Sequence, residues 1–143
     1  MLLNTTHFNK ENNNLIDNKV GKAYTFFQSI KLKGIGSKRM VIDKVSPNLA
    51  SVINKIADVN YGNIELRPNG IIVHITKGQK NFAWVIPLYQ LVIYKTDGTS
   101  IHANGRFVNF KNNKTFKENK AFFDKLTHIK VEYDKQYNFT NLE

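Results

Sequence analysis

The segment NIELRPNGIIVHITKGQKNFAWVIP, residues 63–87, decides the fold because it reads as three strands separated by two turns. Ile64 and Leu66 alternate with charged neighbours, and this period of two residues is typical of a β-strand. Asn69-Gly70 is a strong hairpin signal, since Asn tolerates a positive φ and Gly prefers one. Lys77–Lys80 has the composition of a second turn. The segment therefore predicts consecutive antiparallel strands.

Strand-like segments continue from this region to Phe110. Pro87 cannot donate a hydrogen bond to a sheet, so we expect it to separate two strands. Asp97-Gly98 and Asn104-Gly105 predict two further hairpins. The last three strands are expected at Leu91–Lys95, Thr99–Ala103 and Phe107–Phe110. Six short strands joined by tight turns predict an antiparallel meander.

Helical periodicity returns in the last thirty residues of the chain. Thr115 and Glu118 have the spacing of a capping box, in which the two side chains accept hydrogen bonds from free N–H groups. Large apolar residues then recur on one helical face at Phe122, Leu126, Ile129 and Tyr133. Such a stripe is stable when buried, and we expect the strand that carries Trp84 to contribute to its partner surface.

The first 60 residues predict a mostly helical region. Residues 1–14 are polar, rich in asparagine and aperiodic, and predict a loose terminus. Leu15–Ile30 has helical spacing, although Gly21 interrupts it. The apolar positions of that predicted helix are Leu15, Ile16, Val20, Ala23, Tyr24, Phe27 and Ile30. A short strand is expected at Met40–Val45.

A further helix is predicted immediately after that strand. Ser46 is a good N-cap, and Pro47 suits the first helical position because its missing N–H would have no partner there. The apolar stripe of this helix is expected at Leu49, Val52, Ile53 and Ile56. We expect it to end before Gly62.

The meander followed by one amphipathic helix resembles the pleckstrin-homology-like barrel, especially its bacterial versions. The residues that carry the resemblance are YGNIELRPNGIIVHI, FAWVIP, LVIYKTDGTSIHA and AFFDKLTHI. It covers about residues 61–137, so residues 1–60 become a helical N-terminal extension within a single domain of residues 1–143. The resemblance implies a strongly bent antiparallel sheet, a partial barrel whose open end is plugged by the C-terminal helix. Members of that family bind phosphoinositides, peptides or protein partners, or have no known ligand. Phosphoinositide-binding members carry a basic cluster in the loop between the first two strands, whereas that loop here, residues 67–70, has one basic residue.

Composition restricts the class of protein. The 143 residues are 41% hydrophobic, enough for a core, and they contain no cysteine for disulfides or thiolate metal sites. The opening residues lack the pattern of a signal peptide, and no apolar run reaches the roughly 18 residues of a membrane helix. We therefore expect a cytoplasmic protein with no transmembrane segment.

Motifs for catalysis or cofactor binding do not emerge from the sequence. The loop Gly34–Arg39 has glycines and basic residues, but not in the order or context of a P-loop. The histidines have no metal-binding spacing, and the carboxylates are scattered. We expect no enzymatic activity, no cofactor and no metal site.

The net charge of +10, from 21 basic and 11 acidic residues, leaves two functional hypotheses. The favoured one is a non-catalytic interaction module that binds a protein or peptide, as a monomer or as a homodimer through an edge strand. The alternative is binding of an anionic surface, either nucleic acid or acidic membrane. The anion-binding candidates form two groups, Lys31, Lys33, Lys38 and Arg39, then Arg106, Lys111, Lys114 and Lys117. The competing interpretation is that both groups are ordinary solvated faces, since 18 of the 21 basic residues are lysine.

Overall fold

The structure, a computed structural model, describes residues 1–53, 59–95 and 98–141, with only the backbone described for 137–141. It is an α+β fold with an antiparallel sheet. The strands are β1 Leu2–Asn4, β2 Met40–Val45, β3 Asn60–Arg67, β4 Gly70–Lys77, β5 Lys80–Pro87, β6 Val92–Tyr94, β7 Thr99–Ala103 and β8 Arg106–Phe110. The helices are α1 Lys10–Val20, α2 Phe26–Lys31, α3 Lys114–Lys117 and α4 Lys120–Asn141, and 3-10 turns span Pro47–Val52 and Leu88–Gln90.

The sheet is open, with the strand order β1-β5-β4-β3-β2-β8-β7-β6 and antiparallel neighbours throughout. All six predicted strands of the region 63–110 are present, but the prediction of one simple meander is wrong. β3 to β5 form one meander and β6 to β8 another. The 3-10 turn after Pro87 turns the chain away from β5, and β2 lies between β3 and β8.

The main core lies on one face of this sheet and is covered by α4. Trp84, Met40 and Phe110 are fully buried there and come from three different strands. The predicted stripe on α4 is confirmed, since Phe122 and Leu126 are buried in this core. Ile129 and Tyr133, the other two members, are partly buried against it.

The opposite face of the sheet is covered locally by α1. Ile16 and Val20 of that helix form a second buried cluster with Ile72, Ala83 and Val85 of β4 and β5. These two strands are therefore apolar on both faces, as strands buried on two sides are. This double burial explains the nearly continuous hydrophobic runs in the sequence of β4 and β5.

The expectation of a loose N-terminus is wrong. β1 pairs with β5 and places Leu3 opposite Ala83. α1 begins at Lys10, where the side chain of Asn9 accepts a hydrogen bond from the N–H of Asn12. A strand of three residues is too short to show the apolar period of two that identifies strands in a sequence. The N-terminal segment is therefore ordered by backbone pairing with β5, which its sequence could not reveal.

The predicted helix over 15–30 is in fact two helices separated at Gly21. Gly21 has a φ of 87°, and its N–H donates to the carbonyl of Asp17 at the end of α1. Only glycine adopts this conformation without strain, so the helix ends there. The chain then starts α2 in a new direction at Phe26.

Two predicted helix starts differ in detail from the structure. Ser46-Pro47 opens a 3-10 helix rather than an α-helix, and Ser46 makes no side-chain cap. Its oxygen instead accepts from the N–H of Phe107 on β8. Ile56 of the predicted stripe lies outside the described residues. The capping box expected at Thr115 is also wrong, because Asn113 caps α3 by accepting from the N–H of Phe116.

The predicted turns have mixed outcomes. Asn104 and Gly105 have φ values of 52° and 78°, which confirms the hairpin between β7 and β8. Gly70 lacks a positive φ and is the first residue of β4, so the turn lies at residues 68–69. For the Asp97-Gly98 turn, Gly98 has a φ of 94°, whereas Asp97 lies outside the described residues.

Candidate functional site

Helix α2 exposes three large apolar side chains within five residues. Phe26, Phe27 and Ile30 are 75%, 80% and 59% exposed, and α2 has no buried residue. The rings of Phe26 and Phe27 meet edge to face, with centroids 5.9 Å apart. The predicted helix over 15–30 counted Leu15, Phe27 and Ile30 among its apolar positions, and the structure exposes all three. Beyond Gly21 the helix axis changes, and the apolar side chains of α2 lie in solvent.

The start of α2 is locally well determined. The hydroxyl of Thr25 accepts from the N–H of Gln28, and the carbonyl oxygen of the Gln28 side chain accepts from the N–H of Thr25. This reciprocal pair is a capping box. The spacing of Thr25 and Gln28 is visible in the sequence and would have placed this helix start correctly.

Helix α2 is also tied to the body of the protein at its C-terminal end. Nζ of Lys125 on α4 donates to the carbonyl oxygens of Leu32, Lys33 and Gly34, at 2.8, 3.3 and 2.6 Å. A cation at a helix C-terminus satisfies carbonyls that have no partner within the helix. Burial lowers the pKa of Lys125. Tyr24 and Ile35, on either side of α2, pack against the main core. The apolar side chains are thus held outward on a fixed helix.

Three backbone amides of the glycine loop after α2 are used within the fold. The N–H groups of Gly34, Ser37 and Lys38 donate to Ser29 O, Ile64 O and Asn119 Oδ1 respectively. These three amides are therefore not available to an anion at this loop. The candidates Lys31, Lys33, Lys38 and Arg39 are all exposed. Arg39 lies over the ring of Tyr61, with 4.1 Å between the guanidinium carbon and the ring centroid.

One member of the first predicted basic group, Lys38, lies beside the second group at one end of the sheet. The buried side chain of Asn119, between α3 and α4, accepts from the N–H of Lys38 at 2.8 Å and donates to its carbonyl. The N–H of Lys111 donates to Val41 O on β2. These contacts place Lys38 beside the exposed lysines of the second group, which are Lys111, Lys114 and Lys117.

Arg106 does not belong to this arrangement. It begins β8, whereas Lys111 follows the other end of that strand, about 16 Å away at the usual rise of a strand. Its charge acts instead near the N-terminus. Burial, and then the charges of Arg106 and Lys19, lower the pKa of the Met1 amino group.

A cleft of about 410 Å³ lies beside the start of α4. Its lining includes Lys95, Lys117, Lys120, Asp124, Phe116 and Phe123. Lys120 and Asp124 are 2.8 Å apart, and the hydrogen bond from Lys120 is the main reason that the pKa of Asp124 is lowered. Lys95 is 22 residues away from Lys117 in the chain, so sequence reasoning had no signal for bringing it here.

The outer face of the sheet carries a group of charged side chains that ties α1 to β3. Nη1 of Arg67 lies 3.1 Å from Asp17 and donates to Gly21 O, while its Nε donates to Glu65. His74 Nε2 lies 2.9 Å from the same carboxylate. Burial alone would raise the pKa of Glu65, but the hydrogen bonds and charges of His74 and Arg67 lower it overall. Each of these groups has a partner in the fold, so the arrangement is structural.

Across residues 1–53, 59–95 and 98–141, no three His, Asp or Glu side chains are grouped so that they could hold a metal ion. The helices within the same ranges include none with the length and apolar character needed to cross a membrane. The chain matches no known family description, no curated protein and no solved structure.

Proposed function

We propose that this protein is a non-catalytic binding module whose contact surface is the α2 face, defined by Phe26, Phe27 and Ile30. The observation that carries the proposal is the exposure of these three side chains on a helix that buries none of its residues. Large apolar side chains grouped on a surface are typical of interaction sites. Aromatic residues are also enriched at the energetically important centres of interfaces.

The anchoring of α2 supports a preformed contact surface. The capping box at Thr25 orders the first turn of the helix, and the three hydrogen bonds from Lys125 tie its C-terminal end to α4. A helix held in this way loses little conformational freedom when a partner covers it. The free energy gained by burying the exposed side chains therefore appears as affinity, because little of it is offset by the entropy cost of ordering the helix.

The proposal is compatible with the pleckstrin-homology-like resemblance. Seven consecutive strands, β2 to β8, are followed by α4, whose apolar stripe lies on the core side of the sheet. If the resemblance is correct, its barrel begins at Met40 rather than near residue 61. Members of that family bind partners of several kinds, so the α2 face and not the fold carries the functional argument.

Photocrosslinking tests whether the α2 face contacts a partner. A photoreactive phenylalanine analogue at position 27 should form an adduct with a cellular component after irradiation in cells that produce the protein. The matched control carries the analogue at Phe8, which is 86% exposed and precedes α1. An adduct at position 27 and none at position 8 is the predicted result. Equal labelling at both positions, or none at either, would contradict the proposal.

A further inference from the structure

We propose that the partner of the α2 face is the anionic lipid surface of a membrane, into which Phe26, Phe27 and Ile30 insert. This inference rests on the proposed function and names the chemistry of the partner. It requires three features of the molecule: an apolar face that can enter the bilayer interface, cations around that face, and a rigid attachment to the protein body.

The chain segment that contains α2 carries charge of one sign only. Residues 18–42 contain no Asp or Glu, and their basic residues are Lys19, Lys22, Lys31, Lys33, Lys38 and Arg39. In the chain as a whole, about one acidic residue accompanies every two basic ones. Juxtaposed lysines are attracted to the negative surface of a bilayer that contains anionic lipid. The excess of basic over acidic residues is thus far greater in residues 18–42 than in the chain as a whole.

The helix geometry combines these charges with the apolar face. Phe26 and Ile30 are one turn apart on α2, and Phe27 is their neighbour. Lys31 lies one turn beyond Phe27, so its ammonium can remain among lipid headgroups while the ring enters the acyl boundary. A helix that presents Phe on one face and Lys beside it has the amphipathic pattern of interfacial segments, which enter a bilayer by about 5–10 Å.

Other occupants fit this surface less well. A second copy of the chain would bring the same lysines together and would suffer like-charge repulsion across the interface. A nucleic acid would use the lysines and could stack on the two rings, but it offers nothing apolar to cover Ile30. An acidic protein groove could satisfy both the charges and the apolar face, and this occupant is one outcome of the test.

Co-sedimentation with vesicles tests the inference directly. The intact protein should pellet with vesicles of phosphatidylcholine and about 30% phosphatidylserine, and not with phosphatidylcholine alone. The double variant Phe26→Ser, Phe27→Ser should lower the partition coefficient by about tenfold or more for each ring, because their burial in the bilayer is lost. Reversing Lys31→Glu and Lys33→Glu should lower it by about fivefold or more for each position.

Matched controls distinguish local docking from general attraction. Phe8→Ser removes an equally exposed ring, and Lys44→Glu with Lys80→Glu changes the net charge by the same amount as the α2 reversal, at exposed positions outside both basic groups. Both controls should retain most of the binding. Equal losses in the two charge variants would overturn the inference, because the whole net charge would then be responsible. All variants should keep the circular dichroism spectrum of the native protein, since the changed side chains are exposed.

The vesicle and photocrosslinking experiments together distinguish failure of the membrane inference from failure of the proposed function. If vesicles do not bind but position 27 crosslinks to a protein, the membrane inference fails and the α2 face remains a contact surface. If vesicles do not bind and position 27 crosslinks to nucleic acid, the membrane inference likewise fails and the α2 face likewise remains a contact surface. If vesicles do not bind and no adduct forms at position 27, both proposals fail.

Discussion

At Gly70 the absence of a side chain allows α1 to lie against the sheet. A Cβ atom at this position would overlap the carbonyl oxygen of Ile86 and lie 2.5 Å from Cγ1 of Val20. Both neighbours are themselves fully buried and have little room to move. The glycine therefore serves close packing, not the positive φ that the Asn-Gly pair predicted.

We expect Gly70→Ala to lower the free energy of unfolding by about 1–3 kcal/mol, as insertion of atoms into a packed core does. Gly36→Ala is the control, because the nearest heavy atom to its Cβ would be 3.8 Å away and its φ is ordinary. Denaturant unfolding followed by the fluorescence of Trp84, the only tryptophan, measures both variants. Equal stability of the two variants would mean that α1 does not pack on β4 as described.

At the scale of elements, α2 and α4 show what apolar periodicity can predict. Both segments have apolar residues at helical spacing in the sequence, but only α4 buries them. Periodicity identifies an apolar face and carries no information on what covers it. The burial of α4 could be predicted because a long stripe followed a sheet that needed a cover. The exposure of α2 follows from the turn at Gly21, which sequence reasoning treated as a weak point within one helix.

Leu126→Ala should therefore destabilise the protein by about 2–5 kcal/mol, since it removes a fully buried side chain from the face of α4 that meets the core. Val131→Ala on the same helix is the control, because Val131 is 45% exposed and lies outside the core. It should change stability by less than about 0.5 kcal/mol. The same unfolding experiment compares them. A small effect of Leu126→Ala would show that α4 does not cover the sheet.

At the scale of the whole molecule, β2 joins the two meanders into one sheet. It pairs with β3 through Val41 and Tyr61, and with β8 through Ile42 and Phe110. Local turn signals predicted the strands correctly, because hairpins depend on residues that are adjacent in the chain. They could not predict this order, since the partners of β2 are 15 or more residues away.

The same separation limited the prediction of the candidate site. The basic residues of each group were visible in the sequence, but their meeting through Asn119 depends on the packing of α3 against β2. Arg106 was grouped with Lys111 by sequence proximity, and the length of β8 separates them. Proximity in the chain predicts proximity in space within a turn or helix, and fails along an extended strand.

The central claim is that the α2 face of the folded protein contacts an anionic surface, and one fluorescence titration tests it most directly. The chain has no cysteine, so Phe27→Cys and Phe8→Cys each accept a single environment-sensitive fluorophore. Phe8 is a suitable reference because the 11 residues of α1, about 16 Å of helix, separate it from Gly21. Vesicles with phosphatidylserine should shift the emission to the blue at position 27 and leave position 8 unchanged. An unchanged emission at position 27, or equal shifts at both positions, would contradict the claim.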